Sequence, residues 1–248
     1  MIDNFVYLMK SLTTKDKEYF KGKTIMIAMP TYNEEKNIGI VVRDAFNVLK
    51  KITPNHGVLV FNDGSTDSTG KVLENLKKKY SKLKVIHIPK NKGVGNANNV
   101  IYKSVKGDIL FWNASDNQIH MDEIFTMLPH IKDNDIVVGN RVHRADNWLR
   151  RLMSGCFSLA LRIRFGLPVK DIDSVKIFRI DVFKKIKPES KTAFIETEIL
   201  IRAKKKGLRI IEVPIKHYPR LSGKAQGVRL RIIIPQLKQM FKAIFTRW

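Results

Sequence analysis

The alternation of short apolar runs with helical segments between Thr24 and Val138 constrains this chain more than any other feature. Thr24–Met29 reads as a buried strand, and Glu35–Leu49 repeats apolar residues at helical spacing through Ile38, Val41, Val42, Ala45, Phe46 and Leu49. Val58–Phe61 is a second strand and Ser68–Tyr80 a second helix. Val85–Ile88, Asn96–Val105, Ile109–Trp112, Met121–Ile131 and Ile136–Val138 then alternate as strand, helix, strand, helix and strand. Such a pattern predicts an α/β fold, a mostly parallel central sheet flanked by helices on both faces.

Sheets of this kind bind ligands outside the carboxyl ends of their strands. The polar clusters of the chain fall there: Pro30–Glu35, Asn62–Asp67, Asn91–Asn96 and Asn113–Gln118. Four such loops at four strand ends converge on one crevice.

The second half has another character. Trp148–Arg164 reads as a basic amphipathic helix, Glu196–Lys206 as a helix stopped by Gly207, and Arg209–Val213 as a strand. Leu230–Trp248 places Leu230, Ile233, Ile234, Leu237, Phe241, Ile244, Phe245 and Trp248 on one face, with Arg231, Lys238, Lys242 and Arg247 away from it. That pattern suits a helix lying in a membrane interface, and equally one packed on the protein body. The divisions expected are an N-terminal helical extension over 1–22, a catalytic domain over 23–224 (nucleotide half 23–140, acceptor half 141–224) and an amphipathic helix over 225–248.

Charge points to the partner. The 248 residues hold 46 Lys and Arg against 23 Asp and Glu, a net +23. No acid lies between Asp146 and Asp171 or after Glu212. Acid-free stretches of that length imply an anionic partner: phosphorylated substrates, an anionic membrane or nucleic acid. No helix-turn-helix, RNP or zinc pattern accompanies the charge, so no specific nucleic acid is expected. Met1–Lys23 lacks the apolar core of a signal peptide, and no run reaches the roughly 18 apolar residues of a membrane span. The single cysteine, Cys156, excludes an intrachain disulfide and suits a reducing compartment. His87, His120, His130 and His217 show no metal-ligand spacing.

Taken residue by residue, the loops admit two readings. Tyr32 and Glu34 can stack on and hydrogen-bond a nucleobase, or Glu34 and Glu35 can favour a helix N-terminus. Asp63 can accept a hydrogen bond from base or ribose, while Ser65 or Asp67 caps a helix.

Together, Pro30-Thr-Tyr-Asn-Glu-Glu35 and Asn62-Asp-Gly-Ser-Thr-Asp67 resemble the opening motifs of family 2 glycosyltransferases, with Asn62 where the family has Asp. Asn91-Lys-Gly-Val-Gly-Asn-Ala97 resembles the third block of that family. Asn113-Ala-Ser-Asp-Asn-Gln118 stands where it carries Asp-x-Asp-x-Gln, with Ala114 replacing the first Asp. Gly139-Asn-Arg141, Val169–Val175, Phe194–Ala203, Glu212-Val-Pro214 and Arg220–Lys224 are similar to segments of polyprenyl-phosphate sugar transferases, the dolichol-phosphate mannosyltransferase group among them. In this resemblance Val175 replaces a Gly and Glu198 falls on the shared acid.

The resemblance implies the type A glycosyltransferase fold and transfer of a hexose from a nucleotide-sugar, GDP-mannose first and UDP-glucose second. The acceptor implied is a polyprenyl (dolichyl) phosphate at the cytoplasmic face of a membrane, met peripherally. Pro30, Tyr32, Glu34, Asp63, Ser115 and Asp116 would bind the nucleotide. Asp116 and Gln118 would hold Mg²⁺ or Mn²⁺. Arg141, Arg150, Arg151, Arg220 and Lys224 would cradle the acceptor phosphate, with Asp116, Arg141 and Arg220 closest to the chemistry. A phosphate monoester, with a second pKa of about 6, is already largely a dianion at neutral pH and needs a cationic cradle rather than a base. Two further readings stay open: transfer to a glycan or glycolipid hydroxyl, and a degenerate member that binds without turnover. Asp171 and Asp173 would order a loop near the acceptor, or pair with a nearby arginine.

Overall fold

The computed structural model describes residues 11–142, 148–220 and 239; along 148–157 it describes the backbone alone. The seven strands are β1 (Ile25–Thr31), β2 (His56–Asp63), β3 (Leu83–Ile88), β4 (Ile109–Trp112), β5 (Ile136–Val142), β6 (Lys176–Arg179) and β7 (Ile210–Lys216). They form one sheet in the order β3-β2-β1-β4-β6-β5-β7. The β3-β2-β1-β4 block is parallel, as the alternation predicts. β6 runs antiparallel between β4 and β5, and β7 lies parallel to β5.

β6 carries no strand signal in the sequence. It is four residues long and begins with a lysine that is wholly buried. Lys176 is tolerated because its ammonium meets Glu196 Oε2 at 2.8 Å and the Ser174 carbonyl at 2.9 Å. A buried charge needs such partners. Glu196 in turn accepts from the Tyr102 hydroxyl at 2.6 Å and Asn98 Nδ2 at 2.9 Å.

Helices α2 (Ile38–Lys50) and α3 (Thr69–Lys79) cover one face of the sheet; α4 (Val94–Ser104), α6 (Trp148–Phe165), α7 (Val182–Ile186) and α8 (Ile195–Lys205) belong to the other side. Two apolar cores result. Ile27, Val60, Val41, Phe46 and Leu73 lie in one; Leu59, Phe61, Ile101, Leu161, Phe178 and Ile199 lie in the other. Helix α1 (Thr14–Lys21) opens on a capping box between Thr13 and Asp16 and sends Phe20 into the first core.

One sequence expectation needs correction. Met121–Ile131 is not a continuous α-helix. It divides into a 3₁₀ turn over Met121–Glu123, a one-turn helix α5 (Ile124–Met127) and a 3₁₀ stretch over Leu128–Lys132. Pro129 has no N–H to continue the ladder, so the chain tightens after it. The side chains of Arg150 and Arg151, all of Lys224, and the 225–248 segment other than Gln239 lie outside the described residues. No helix among the described residues is long and apolar enough to cross a membrane.

Candidate active site

The carboxyl ends of β1 and β2 are knitted together by side chains. Asn33 N–H donates to Ser65 Oγ at 3.0 Å, Glu34 N–H to Thr69 Oγ1 at 2.8 Å, and Glu35 N–H to Asp67 Oδ2 at 3.2 Å. In return Thr66 N–H donates to Asn33 Oδ1 at 2.8 Å and Ser68 N–H to Glu35 Oε2 at 2.9 Å. Asn33 takes a left-handed φ of 55°, which Asn tolerates better than most residues. Much of both polar motifs therefore fixes the shape of the crevice wall. Pro30 and Tyr32 are half-buried there.

Asp63, at the end of β2, reaches across to the third polar loop. Its Oδ1 accepts the Lys92 N–H at 2.9 Å and its Oδ2 the Gly93 N–H at 2.8 Å, just ahead of α4. A carboxylate there also faces the positive end of the helix dipole. Gly64 makes this approach possible: with φ at 66°, a Cβ on it would lie 2.5 Å from the Asn91 nitrogen. Asn62, where the family has Asp, accepts from Ser65 N–H and faces His87 Nδ1 at 2.9 Å. An amide NH₂ only donates, so His87 Nδ1 is the acceptor and its Nε2–H points to Glu74 at 2.9 Å.

The fourth loop follows β4. Ser115 is buried, donates to the Pro30 carbonyl at 3.0 Å and accepts from Thr31 Oγ1 at 2.5 Å, which ties the loop to β1. Asp116 stays partly open, with Oδ1 accepting the Gln118 N–H at 3.2 Å. Asn117 turns the chain with φ at 58°. Gln118 uses its amide nitrogen on the Tyr218 carbonyl at 3.4 Å, so that bond does not engage the amide oxygen.

Arg220 is brought here by the segment after β7. Tyr218 N–H donates to the Gln118 carbonyl at 2.8 Å, and its ring stacks on His120 with centroids 4.0 Å apart. Arg220 Nη2 then hydrogen-bonds Glu34 Oε1 and lies 3.5 Å from Asp116 Oδ2. Glu34 is buried, which pushes its carboxyl above the ordinary value; bonds from Asn37 and the charge of Arg220 oppose the rise. Glu34, Asp116 and Arg220 thus meet in one cluster.

Arg141 stands near the end of β5. Its Nε and Nη2 grip the two oxygens of Asp171, each at 2.7 Å. Asp171 is placed by Glu212 of β7, whose Oε1 accepts the Lys170 and Asp171 N–H groups at 2.6 and 2.8 Å. The pairing reading of Asp171 therefore describes the structure. Asp173, two residues on, is exposed to solvent. The charges of Lys176 and Arg141 act on its carboxyl. Glu198 is fully buried and receives the Glu189 and Ser190 N–H groups and Arg202. Its partners are local, on α8 and the segment before it. Thr69 and the His120–Tyr218 stack have no separate signal in the sequence, and the Glu212-Val-Pro214 segment marks Glu212 without its role, because each acts on residues distant along the chain.

The residues at the fourth loop fit a hard divalent cation carried in with a diphosphate. Asp116 and Gln118 would offer two oxygens to such a cation, leaving phosphate and water to supply the others. Among the described residues no cluster of three His, Cys, Asp or Glu could hold a metal alone, which agrees with Ala114 at the position of the missing carboxylate.

Four polar loops tied together at the carboxyl ends of a mostly parallel sheet, with Arg220 and Arg141 ion-paired there, are the arrangement of a ligand-binding α/β enzyme. The chain belongs to glycosyl transferase family 2, whose model matches residues 26–187, and it is a glycosyltransferase. It is 27% identical over 214 residues to an undecaprenyl-phosphate mannosyltransferase of Micrococcus luteus, covering 82% of this chain and 86% of that one. It is 24% identical to a dolichyl-phosphate beta-glucosyltransferase of Trichomonas vaginalis, covering 76% of this chain and 62% of that one. It is 23% identical to an undecaprenyl-phosphate 4-deoxy-4-formamido-L-arabinose transferase of Edwardsiella ictaluri, covering 84% of this chain and 64% of that one. The resemblance to the polyprenyl-phosphate sugar transferases is borne out. The chain spans less than two thirds of the Trichomonas and Edwardsiella relatives. In fold it is similar to glucosyl-3-phosphoglycerate synthase from Mycobacterium tuberculosis, in complex with Mn²⁺, uridine diphosphate and phosphoglyceric acid. That similarity has a TM-score of 0.72 at 19% identity, over 93% of this chain and 83% of that one.

Proposed function

We propose that this chain transfers a hexose, with inversion, from a nucleotide-sugar to a polyprenyl phosphate while bound peripherally at the cytoplasmic face of a membrane. The observation that carries this reading is the separation of two arginines. Arg220 is braced by Glu34 and Asp116, in the loops after β1 and β4, and Arg141 near the end of β5 is held by Asp171, so the two arginines sit in separate ion-paired clusters. GDP-mannose is the first donor to test and UDP-glucose the second.

The nucleotide rests against the wall formed by Pro30, Tyr32 and Asp63. A divalent cation on Asp116 and Gln118, once bound, supplies charge to the departing diphosphate. Arg220 stands beside Asp116 and adds a fixed cation there. Arg141, with Arg150, Arg151 and Lys224 from neighbouring segments, holds the acceptor phosphate. A phosphate oxygen attacks the anomeric carbon from the face opposite the nucleotide. The bond from that carbon to the diphosphate breaks, and the diphosphate leaves with the electron pair. No proton moves, because the acceptor is already ionised.

A second reading, transfer to a hydroxyl, is favoured by one observation. Asp173 is an exposed carboxylate two residues from Asp171, the partner of Arg141, and so is open to a hydroxyl acceptor. The test is a panel of GDP- and UDP-sugars with Mg²⁺ or Mn²⁺, each with and without a polyprenyl phosphate in detergent. Glycolipid formed only with the lipid phosphate supports the first reading. Nucleotide binding with no such product rejects it.

A further inference from the structure

The amino ends of the strands form a pole of their own, at the far end of the sheet from the crevice. β1, β2, β3, β4, β5 and β7 all point the same way, because β6 reverses the direction between β4 and β5, and β7 lies parallel to β5. The helices that return the chain therefore end where these strands begin. Lysines collect there. α2 ends in Lys50 ahead of β2, α3 in Lys77, Lys78 and Lys79 ahead of β3, and α8 in Lys204 and Lys205 ahead of β7, all of them exposed. One cation in a last turn complements the helix dipole, but adjacent lysines repel one another, so the dipole alone does not account for the runs. The stretch between Glu74 and Asp108 carries the pattern furthest, with nine lysines and no acid.

A cleft of about 180 Å³ opens in this pole at the starts of β1 and β4, with Tyr19, Lys23, Ile109, Ile131 and Arg179 in its lining. Arg179 is there because β6 runs against its neighbours and ends where they begin. It is half-buried, and its Nε and Nη2 donate to the carbonyls of Ile131 and Lys132 at 3.3 and 2.8 Å. Among the described residues no carboxylate pairs with it, and its Nη1 is left to donate. The two acids of the cleft are engaged elsewhere: Asp108 Oδ2 accepts the Thr24 N–H at 2.7 Å, and Asp181 pairs with Lys185 at 3.1 Å.

This chemistry selects the partner. An arginine in a cleft, surrounded by exposed lysines, fits one carboxylate inserted from an acidic chain whose other carboxylates lie over the lysines. A second copy of this protein would bring lysines against lysines. A single-stranded nucleic acid calls for a row of exposed rings on which to stack, and the cleft has one, Tyr19. We infer that the amino-end pole is a docking surface for an acidic segment of another protein, with Arg179 and Lys23 receiving one of its carboxylates. The inference goes beyond the transfer reading and needs neither its donor nor its acceptor.

Fluorescence anisotropy of the full chain with a fluorescein-labelled oligoglutamate tests it. Arg179→Gln and Lys23→Gln probe the cleft, and the second leaves the bonds of Arg179 to its two carbonyls in place. Two triple variants remove equal charge: Lys78→Ser, Lys79→Ser, Lys205→Ser at the pole, and Lys36→Ser, Lys90→Ser, Lys191→Ser at the other end of the sheet. Wild type is expected to bind the peptide, more weakly as salt rises. The cleft variants and the pole triple are expected to bind about tenfold more weakly, and the other triple within about twofold of wild type. Unchanged melting temperatures exclude loss of fold as the cause. Equal weakening by the two triples reduces the effect to net charge and overturns the surface. Binding at the wild-type level by both cleft variants overturns it as well, and so does a wild type that does not bind the peptide. Tighter binding of a labelled oligouridylate of the same length, lost in the same variants, assigns the pole to nucleic acid and overturns the acidic partner.

Discussion

The guanidinium of Arg141 and the carboxylate of Asp171 form a two-pronged pair, Nε to Oδ2 and Nη2 to Oδ1, both at 2.7 Å, with side chains only 10% and 5% exposed. In the Asp171→Asn variant one prong becomes an amide that cannot neutralise the arginine, and a nearly buried cation is left uncompensated. Removing one partner of such a pair costs about 3 kcal/mol or more. Urea denaturation of the variant checks this. Arg141→Lys keeps the charge and loses the fork, so a smaller loss of stability is expected, with a clear fall in kcat/KM for transfer.

Asp63 holds two backbone N–H groups at once, those of Lys92 and Gly93. An asparagine offers one acceptor oxygen and turns a donor toward the second N–H. Asp63→Asn is therefore expected to lose about 1–3 kcal/mol of stability. The third polar loop loosens with it, and affinity for nucleoside diphosphate falls. Isothermal titration with GDP and UDP measures the second effect.

The divalent cation is expected to bind weakly without nucleotide, since the protein offers one carboxylate and one amide at the fourth loop. Stripping with a chelator is expected to abolish transfer, and Mg²⁺ or Mn²⁺ to restore it. Ala114→Asp adds a carboxylate where the family places one, and Mn²⁺ affinity measured by electron paramagnetic resonance is expected to rise about tenfold. An unchanged affinity would remove position 114 from the cation site.

Asp16 gives a pH test remote from the crevice. Its bonds from Lys132 and Thr13 hold its carboxyl below the ordinary 3.8. The folded protein thus binds this proton less readily than the unfolded chain. The stabilisation is complete above pH 3.8 and is lost as pH falls through the lower, folded value. Asp16→Asn is expected to be about 1 kcal/mol less stable at neutral pH, the scale of a helix cap. The gap between the two proteins is expected to close in acid.

How far the sequence reveals this structure depends on the range of the forces involved. The β3-β2-β1-β4 block is legible because buried parallel strands are continuous apolar runs, such as Val58–Phe61 and Ile109–Trp112. The polar loops at their ends are legible for the same reason, as interruptions of those runs. β6 is hidden because Lys176 looks like a surface residue until Glu196, twenty positions away, neutralises it. The meeting of Arg220 with Glu34 spans 186 positions and depends on the His120–Tyr218 stack, which no local pattern announces. Asp171 was legible as one of two possibilities, and the choice between them lies in Glu212, which aims it at Arg141.

The most direct test sets the acceptor phosphate against its own alcohol. The enzyme, a productive nucleotide-sugar and Mn²⁺ are given either a polyprenyl phosphate or the matching polyprenol, in the same detergent. The proposed function makes the phosphate the nucleophile and the arginines its seat, so transfer is expected with the phosphate and none with the alcohol, and Asp173→Asn is expected to leave the rate unchanged. Transfer to the alcohol at a comparable rate, abolished by Asp173→Asn, would contradict the phosphate acceptor and establish base-catalysed transfer to a hydroxyl.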